Sequence, residues 1–372
     1  MATHDRGEGM KVALLSFDFG EYCIRLASAL ARQVEVLLLL PHQIAAPHSS
    51  KLDQAVSFQP FNQPRLRQPL RQMATIYRIL RQITSFEPDV IHLQKGHLWF
   101  NLALPLLRRY RLVVTIHDPR YHVGDCESRK VPQTIMAFGH HRADQIIVHG
   151  EQLKQVVVNE LGLASETVHV VPMIALGDDL AHSEVQEEDH QILFFGRIWE
   201  YKGLEYLIRA EPLITAQVPD ACIVIAGRGE DFARYRRLMV HPERFSVHNE
   251  YVSDAKCAEL FQRASVVALP YIDASQSAVI PVAYTFSKPV VATTVGALPE
   301  MVDHGRTGFL VPPRDERALA DALVRLLRDK GLRRQLGANG KRKVETDLSP
   351  EAVARQTLAV YRRAVGDRLA RV

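Results

Sequence analysis

Arg197 and Lys202 sit in the stretch FFGRIWEYKG (194–203). A strand ends there at Gly196, and the Lys202-Gly203 pair opens a helix. A strand-end glycine lets backbone approach a ligand. A helix N-terminus flanked by Arg and Lys attracts anions, and a guanidinium grips phosphate in a fork. The chemistry this pattern suits is the binding of a diphosphate. Taken alone, the two charges read better as solvated surface groups. Further along, YIDASQSAVIPVAYTFSKPVV (271–291) places Asp273 beside Ser275, Gln276 and Ser277. These three residues are expected to begin a helix. Its backbone N–H groups and short polar side chains can hold an anion or the hydroxyl groups of a ligand.

Positioning such groups takes a rigid frame, and the chain spells one out. Short apolar runs alternate with helical spacing from end to end. Strands are expected at 11–16, 34–40, 89–94, 111–117, 144–150 and 168–172, then at 191–196, 222–227, 245–251, 265–270, 289–294 and 307–312. Apolar strands alternating with helices predict parallel sheets covered on both faces. The stretch 175–190 is acidic and aperiodic and reads as a linker. The expected organisation is an N-terminal Rossmann-like domain over 1–174, a second over 191–348, and a final helix over 349–372 opened by Ser-Pro-Glu. In doubly wound sheets ligands bind at the carboxyl ends of the strands.

The composition narrows the function. The chain has 372 residues with 46 basic against 42 acidic, a net +4 that gives no argument for nucleic-acid binding. Four scattered cysteines make neither a disulfide framework nor a local zinc site. No apolar run is long enough to span a bilayer, and the first residues lack a signal-peptide pattern, so a cytoplasmic protein is expected. Asp-x-Asp, Walker, GxGxxG, GxSxG and HExxH patterns are absent.

The 194–210 segment resembles the GR-x-x-x-x-KG signature of retaining glycosyltransferase family 4, which has the GT-B fold. CIVIAGRGED (222–231), SKPVVATTVGALPEMVDHGRTGFLVPPRD (287–315), VVTIHD (113–118) and RADQIIVHGEQLK (142–154) match further family elements in order. The resemblance implies two Rossmann-like domains facing a cleft, the C-terminal one holding a nucleotide-sugar donor. It further implies a last helix that crosses back to the N-terminal domain. Gly196, Arg197 and Lys202 then hold the donor pyrophosphate, and Gly229 and Glu230 lie at the nucleotide base. His117 stands near the transferred sugar; its plainer reading is a strand-end histidine bonded to Asp118. His117, Arg197 and Lys202 are the catalytic candidates. Where the family carries two glutamates eight apart, this chain has Ala274 and Val282. Asp273, Ser275, Gln276 and Ser277 are the substitutes expected there, as in a Ser-Gln-Ser branch of polysaccharide-assembly enzymes.

The implied activity is transfer of a sugar, with retention and without a metal, from a nucleotide sugar to a saccharide or lipid-linked saccharide. The alternatives are a non-catalytic GT-B partner subunit and a nucleotide-sugar epimerase or hydrolase. Arg120 and His122, just after His117, are the acceptor candidates. Residues 54–86 carry five arginines (Arg65, Arg67, Arg71, Arg78, Arg81) and no acid before the helix over 70–86 ends. Leu70, Met73, Ile76, Tyr77, Leu80 and Ile83 are expected to form the apolar face of that helix. A basic amphipathic helix can lie on an anionic membrane, which would place the protein peripherally on the cytoplasmic membrane face, or capture an anionic acceptor. Its plainer reading is a helix packed on the sheet with a solvated basic face.

Overall fold

The computed structural model describes residues 9–119, 133–177 and 185–366, those at 133–137 by backbone alone. They divide into two compact units. The first holds 9–119, 133–174 and 349–366, and the second 175–177 and 185–348.

The first unit is built on β1 (Lys11–Ser16), β2 (Glu35–Pro41), β3 (Ser57–Phe61), β4 (Val90–Lys95), β5 (Arg111–Thr115), β6 (Gln145–Val148) and β7 (Val168–Val170). They form one parallel sheet in the order β3-β2-β1-β4-β5-β6-β7. The chain order reverses between β1 and β4, which makes that the switch point. β3 has no counterpart among the expected strands. Its sequence, SFQPF, carries a proline and exposed polar residues, which an edge strand tolerates and an apolar-run criterion misses.

Side chains alternate across the sheet. Ala13, Leu15, Ile91, Leu93, Leu112 and Val114 share one face with Ile76, Ile79 and Ile83 of the helix Pro69–Phe86. Their alternates, including His92, Gln94 and Thr115, therefore lie on the other face. The helices Gly20–Leu30 and Pro350–Gly366 pack together in this unit, the latter also on β4, β5 and β6. The final helix thus belongs to the first unit, although the whole second unit precedes it in the chain.

The second unit repeats the plan. β8 (Gln191–Phe195), β9 (Cys222–Ala226), β10 (Phe245–His248), β11 (Val266–Leu269), β12 (Val290–Thr293) and β13 (Gly308–Val311) form a parallel sheet in the order β10-β9-β8-β11-β12-β13. Ile192, Phe194, Ile223 and Ile225 pack with Leu204, Leu207 and Leu323 on one face. Leu193, Val224, Val267 and Leu269 pack with Phe261, Ile280 and Tyr284 on the other. Here the switch point lies between β8 and β11. The acidic linker is tied down at its end. Glu187 and Asp189 pair with the buried Arg333, and Glu187 also bonds Lys288.

Candidate active site

In the second unit the candidate donor residues gather where β8 and β11 end. Gly196 follows β8 with φ +118° and donates its N–H to Ala226 O at 3.0 Å. Arg197 comes next and is exposed, its guanidinium 5.8 Å from the Tyr201 ring. A short turn over Glu200–Lys202 then leads through Gly203, at φ +64°, into the helix Leu204–Thr215. Gly203 approaches the end of β11 so closely that a Cβ there would overlap the Pro270 carbonyl oxygen. Tyr201 O accepts the N–H of Ile272 at 2.9 Å and of Asp273 at 3.3 Å. These contacts bring Lys202 onto the loop that follows β11.

The ammonium of Lys202 lies 3.7 Å from the centroid of the Tyr271 ring and 5.0 Å from that of Tyr201. Facing two rings holds the cation without neutralising it. Tyr271 is fully buried, and burial pushes its hydroxyl pKa up, so it stays protonated. Its hydroxyl meets Ser277 Oγ at 3.1 Å, and its carbonyl accepts the Thr293 hydroxyl at 2.7 Å. Tyr271 is therefore the brace between Lys202 and the Ser-Gln-Ser stretch. A tyrosine at the end of an apolar strand reads as core, and nothing in the sequence separates this one from Tyr284.

Asp273 and Gln276 are partly exposed at this end of the sheet, while Ser275 and Ser277 are buried. The structure corrects one expectation here. Ser275, Gln276 and Ser277 do not begin a helix; the helix is Val279–Thr285, and the three form the loop before it. Ser277 Oγ accepts the Val279 N–H at 3.3 Å, and Ser275 O accepts the Ala297 N–H at 3.1 Å. The loop's bonds run to Tyr271 and to the segment after β12, which sets its shape without helical turns.

Gly229 and Glu230 follow β9. Glu230 donates its N–H to Ile198 O at 3.0 Å. Asn249, which sequence reasoning missed, accepts the Gly229 N–H at 3.1 Å and donates to Glu230 O at 3.1 Å. The Glu230 carboxylate accepts the Tyr235 hydroxyl at 2.7 Å and faces Arg234 at 3.3 Å. What this loop presents is fixed backbone rather than a free carboxylate.

His117 belongs to the first unit, two residues beyond β5, and is 5% exposed. Its ring lies against Phe19, Tyr22 and His149 at centroid distances of 4.3, 5.9 and 4.8 Å. Phe19 holds φ +59°, a left-handed conformation costly for a non-glycine residue. Such strain marks candidate functional positions. Burial, followed by repulsion from His149, holds the His117 pKa well below the usual histidine value, so the ring is neutral near pH 7. His117 Nε2 lies 3.1 Å from Gln94 Oε1. Burial likewise pushes His149 down to about 4, and its Nδ1 donates to Val171 O at 2.8 Å. Arg120 and His122 lie outside the described residues.

The helix Pro69–Phe86 departs from its expected pattern. Ile76 and Ile83 are buried and Leu80 is partly so, but Leu70, Met73 and Tyr77 are 81%, 59% and 67% exposed. Gln72 and Ile79 complete the buried stripe instead, with Gln72 donating to Pro64 O at 2.8 Å. Arg65, Arg67, Arg71, Arg78 and Arg81 are all exposed.

Two parallel doubly wound units with this strand order define the GT-B fold. A family model described as "Glycosyltransferase Family 4" matches residues 20–173, and one described as "Glycosyl transferases group 1" matches 189–329. The chain is 33% identical over 291 residues to a D-inositol 3-phosphate glycosyltransferase of Pseudarthrobacter chlorophenolicus, covering 69% of this chain and 68% of that one. It is 32% identical over 183 residues to an uncharacterized glycosyltransferase of Methanocaldococcus jannaschii, a match spanning 49% of this chain and only 47% of that one. Among solved structures, Anabaena HepE in complex with UDP superimposes with a TM-score of 0.71 at 17% identity, covering 94% of this chain and 99% of that one. The chain belongs to glycosyltransferase family 4.

Proposed function

We propose that this chain transfers a sugar, with retention at the anomeric carbon, from a nucleotide-sugar donor to a saccharide or lipid-linked saccharide in polysaccharide or glycoconjugate assembly. The observation that carries this is the cationic cradle of the second unit. Lys202 is held over Tyr271 and Arg197 follows a strand-end glycine, both at the switch point where doubly wound sheets bind ligands. That Anabaena HepE, which shares this fold, forms a complex with UDP supports a diphosphate as the ligand.

The transfer is a front-side displacement. The bond from the anomeric carbon to the leaving phosphate breaks as the acceptor oxygen attacks from the same face, and the acceptor's proton passes to the departing phosphate oxygen. Arg197 and Lys202 stabilise the charge on the leaving group, which is electrostatic catalysis by fixed cations. With two side-chain cations on the diphosphate, the proposed reaction calls for no metal. His117, neutral and buried, supplies a hydrogen-bonding group to the reacting sugar. With Ala274 and Val282 in place of carboxylates, donor hydroxyls are left to Asp273, Ser275, Gln276 and backbone.

A thermal-shift screen against UDP, GDP, ADP, dTDP and their common sugars tests the reading. A ligand at 100 times its Kd adds about 2.7 kcal/mol of stability. The expected result is a raised melting temperature with one nucleotide, clearly reduced in Lys202→Ala. No shift with any of them in a folded sample overturns it and favours a non-catalytic partner. Sugar release without an acceptor as the sole reaction favours a hydrolase.

A second observation favours a membrane surface as the working site. Leu70, Met73 and Tyr77 stand at helical spacing on one exposed stripe, with five arginines around them and no acidic neighbour in 54–86. Exposed apolar side chains with arginines suit the headgroup region of an anionic bilayer. Among the described residues no helix is long and apolar enough to cross a membrane.

A further inference from the structure

The polar residues on one face of the first unit's sheet form a continuous hydrogen-bonded series that ends on His117. The hydroxyl of Tyr361, on the helix Pro350–Gly366, lies 2.6 Å from His92 Nδ1. His92 Nε2 lies 2.8 Å from Thr115 Oγ1 and 3.3 Å from Gln94 Nε2. Gln94 Oε1 lies 3.1 Å from His117 Nε2. Every member is buried, Tyr361 and His92 completely.

With the Gln94 amide oriented as in the structure, the direction of each bond follows from what each atom can do. An amide nitrogen only donates, so His92 Nε2 accepts from Gln94, and it accepts the Thr115 hydroxyl as well. The one proton of the neutral His92 ring is then on Nδ1, donated to Tyr361 Oη. An amide oxygen only accepts, so His117 carries its proton on Nε2, and Nδ1 is its acceptor nitrogen. One other arrangement is self-consistent, with every link reversed. Tyr361 then donates to His92 Nδ1, and His92 Nε2–H donates to Thr115 and to a Gln94 amide turned by half a rotation. Gln94 then donates to His117 Nε2, and the His117 proton moves to Nδ1. Mixed arrangements leave a buried donor facing a donor, which is costly in a low-dielectric interior. Burial holds His92 at about 3, so neutral tautomers are the forms in play near pH 7.

We propose that Tyr361, acting through His92 and Gln94, decides which ring nitrogen of His117 carries the proton. Tyr361 is a positioning residue, and the closing helix sets the donor–acceptor polarity of the group assigned to the reacting sugar. This rests on the role of His117 proposed above. The alternation of polar and apolar residues in VIHLQK and RLVVTIH is what makes the series possible, because it puts His92, Gln94, Thr115 and His117 on one face.

Full-length protein labelled with 15N-histidine tests the coupling, since ring 15N–1H correlation spectra report which nitrogen is protonated. Wild type should show His92 protonated on Nδ1 and His117 on Nε2. Tyr361→Phe removes the acceptor of His92 Nδ1–H without changing side-chain shape. Both rings should then exchange tautomers in most molecules. Gln94→Glu approaches from the other end. Its carboxylate accepts from both rings, so His92 should move its proton to Nε2 while His117 keeps Nε2–H. Adding Tyr361→Phe to Gln94→Glu should then leave His117 unchanged. A His117 tautomer indifferent to Tyr361→Phe overturns the proposal. So does an effect of Tyr361→Phe that persists in the Gln94→Glu background, or a His92 ring unmoved by Gln94→Glu alone. UDP-induced thermal shifts should match wild type in these variants, because Arg197 and Lys202 lie in the other unit. If no nucleotide stabilises any form, the transferase reading falls, and the tautomer coupling is still judged by the spectra.

Discussion

Replacing Gly203 by alanine probes the joint between the Lys202 turn and the end of β11. Two costs add. An L-residue at φ +64° is strained by about 1–2 kcal/mol. The new Cβ would also overlap the Pro270 carbonyl oxygen and lie 2.9 Å from its carbon and 3.4 Å from Ile272 Cγ2. Backbone on one side and a packed branched chain on the other leave little room to yield. Overpacking of this kind costs about 1–3 kcal/mol. Gly305→Ala is the matched control in the same unit, with φ +73° and nothing within 4 Å of its Cβ. The strain and the reduced freedom of the unfolded chain are common to both variants, so their difference isolates the overlap. At about 2–4 °C per kcal/mol for a unit of this size, Gly203→Ala should melt roughly 2–12 °C below Gly305→Ala by calorimetry. It should also bind its nucleoside diphosphate about tenfold more weakly or worse, because the shift carries Lys202 off Tyr271. A Gly203→Ala protein as stable as Gly305→Ala refutes the reasoning.

Lys202→Ala should weaken diphosphate binding by about 1.5–3 kcal/mol, roughly 10- to 150-fold by titration calorimetry, while the ligand-free melting temperature changes little. Acid should destabilise the first unit. His92 and His149 have folded pKa values of about 3 and about 4, below the unfolded value near 6.5. The unfolded state therefore binds the extra protons. Their stabilising effect is complete above pH 6.5 and fades as pH falls towards 4, by about 3 kcal/mol for His149 alone. Denaturant titrations of the first unit at pH 7.5, 6 and 5 should show this slope, and a flat profile counts against neutral buried rings. Co-sedimentation with vesicles containing anionic lipid should fall sharply in a Leu70→Gln, Tyr77→Gln double variant and in high salt. Equal binding to neutral vesicles counts against the membrane reading.

The frame of this protein was legible because it rests on apolar runs. Every expected strand forms within one or two residues at its start, and Gly196, Arg197 and Lys202 lie together where a strand meets a helix. Polar content hid β3, and a loop hid itself as a helix at Ser275–Ser277, where short polar residues satisfy backbone groups in either conformation. The braces of the site were also out of sight. Tyr271 and Asn249 act through partners 69 and 20 positions away respectively, at Lys202 and Gly229. Periodicity looks a few residues ahead and cannot register such pairs. The helix Pro69–Phe86 shows the converse. Its spacing is amphipathic, yet Gln72, bonded to Pro64 O, is buried while Leu70 and Tyr77 are exposed, a partition that apolar spacing does not encode.

The placement of the Pro350–Gly366 helix on the first unit has a consequence for how the protein is made. Translation delivers the strands of the first sheet early, but the helix that covers β4, β5 and β6 leaves the ribosome only after the second unit. At 5–20 residues per second, some 190 further residues take roughly 10–40 s. Over that interval the helix that packs on β4, β5 and β6, with the Tyr361 partner of His92, is missing, while the described residues of the second unit, all between Ala175 and Leu348, are already synthesised. The unit begun first is thus completed after the second, and a nascent chain stalled or clipped before that helix would expose the first sheet rather than the second.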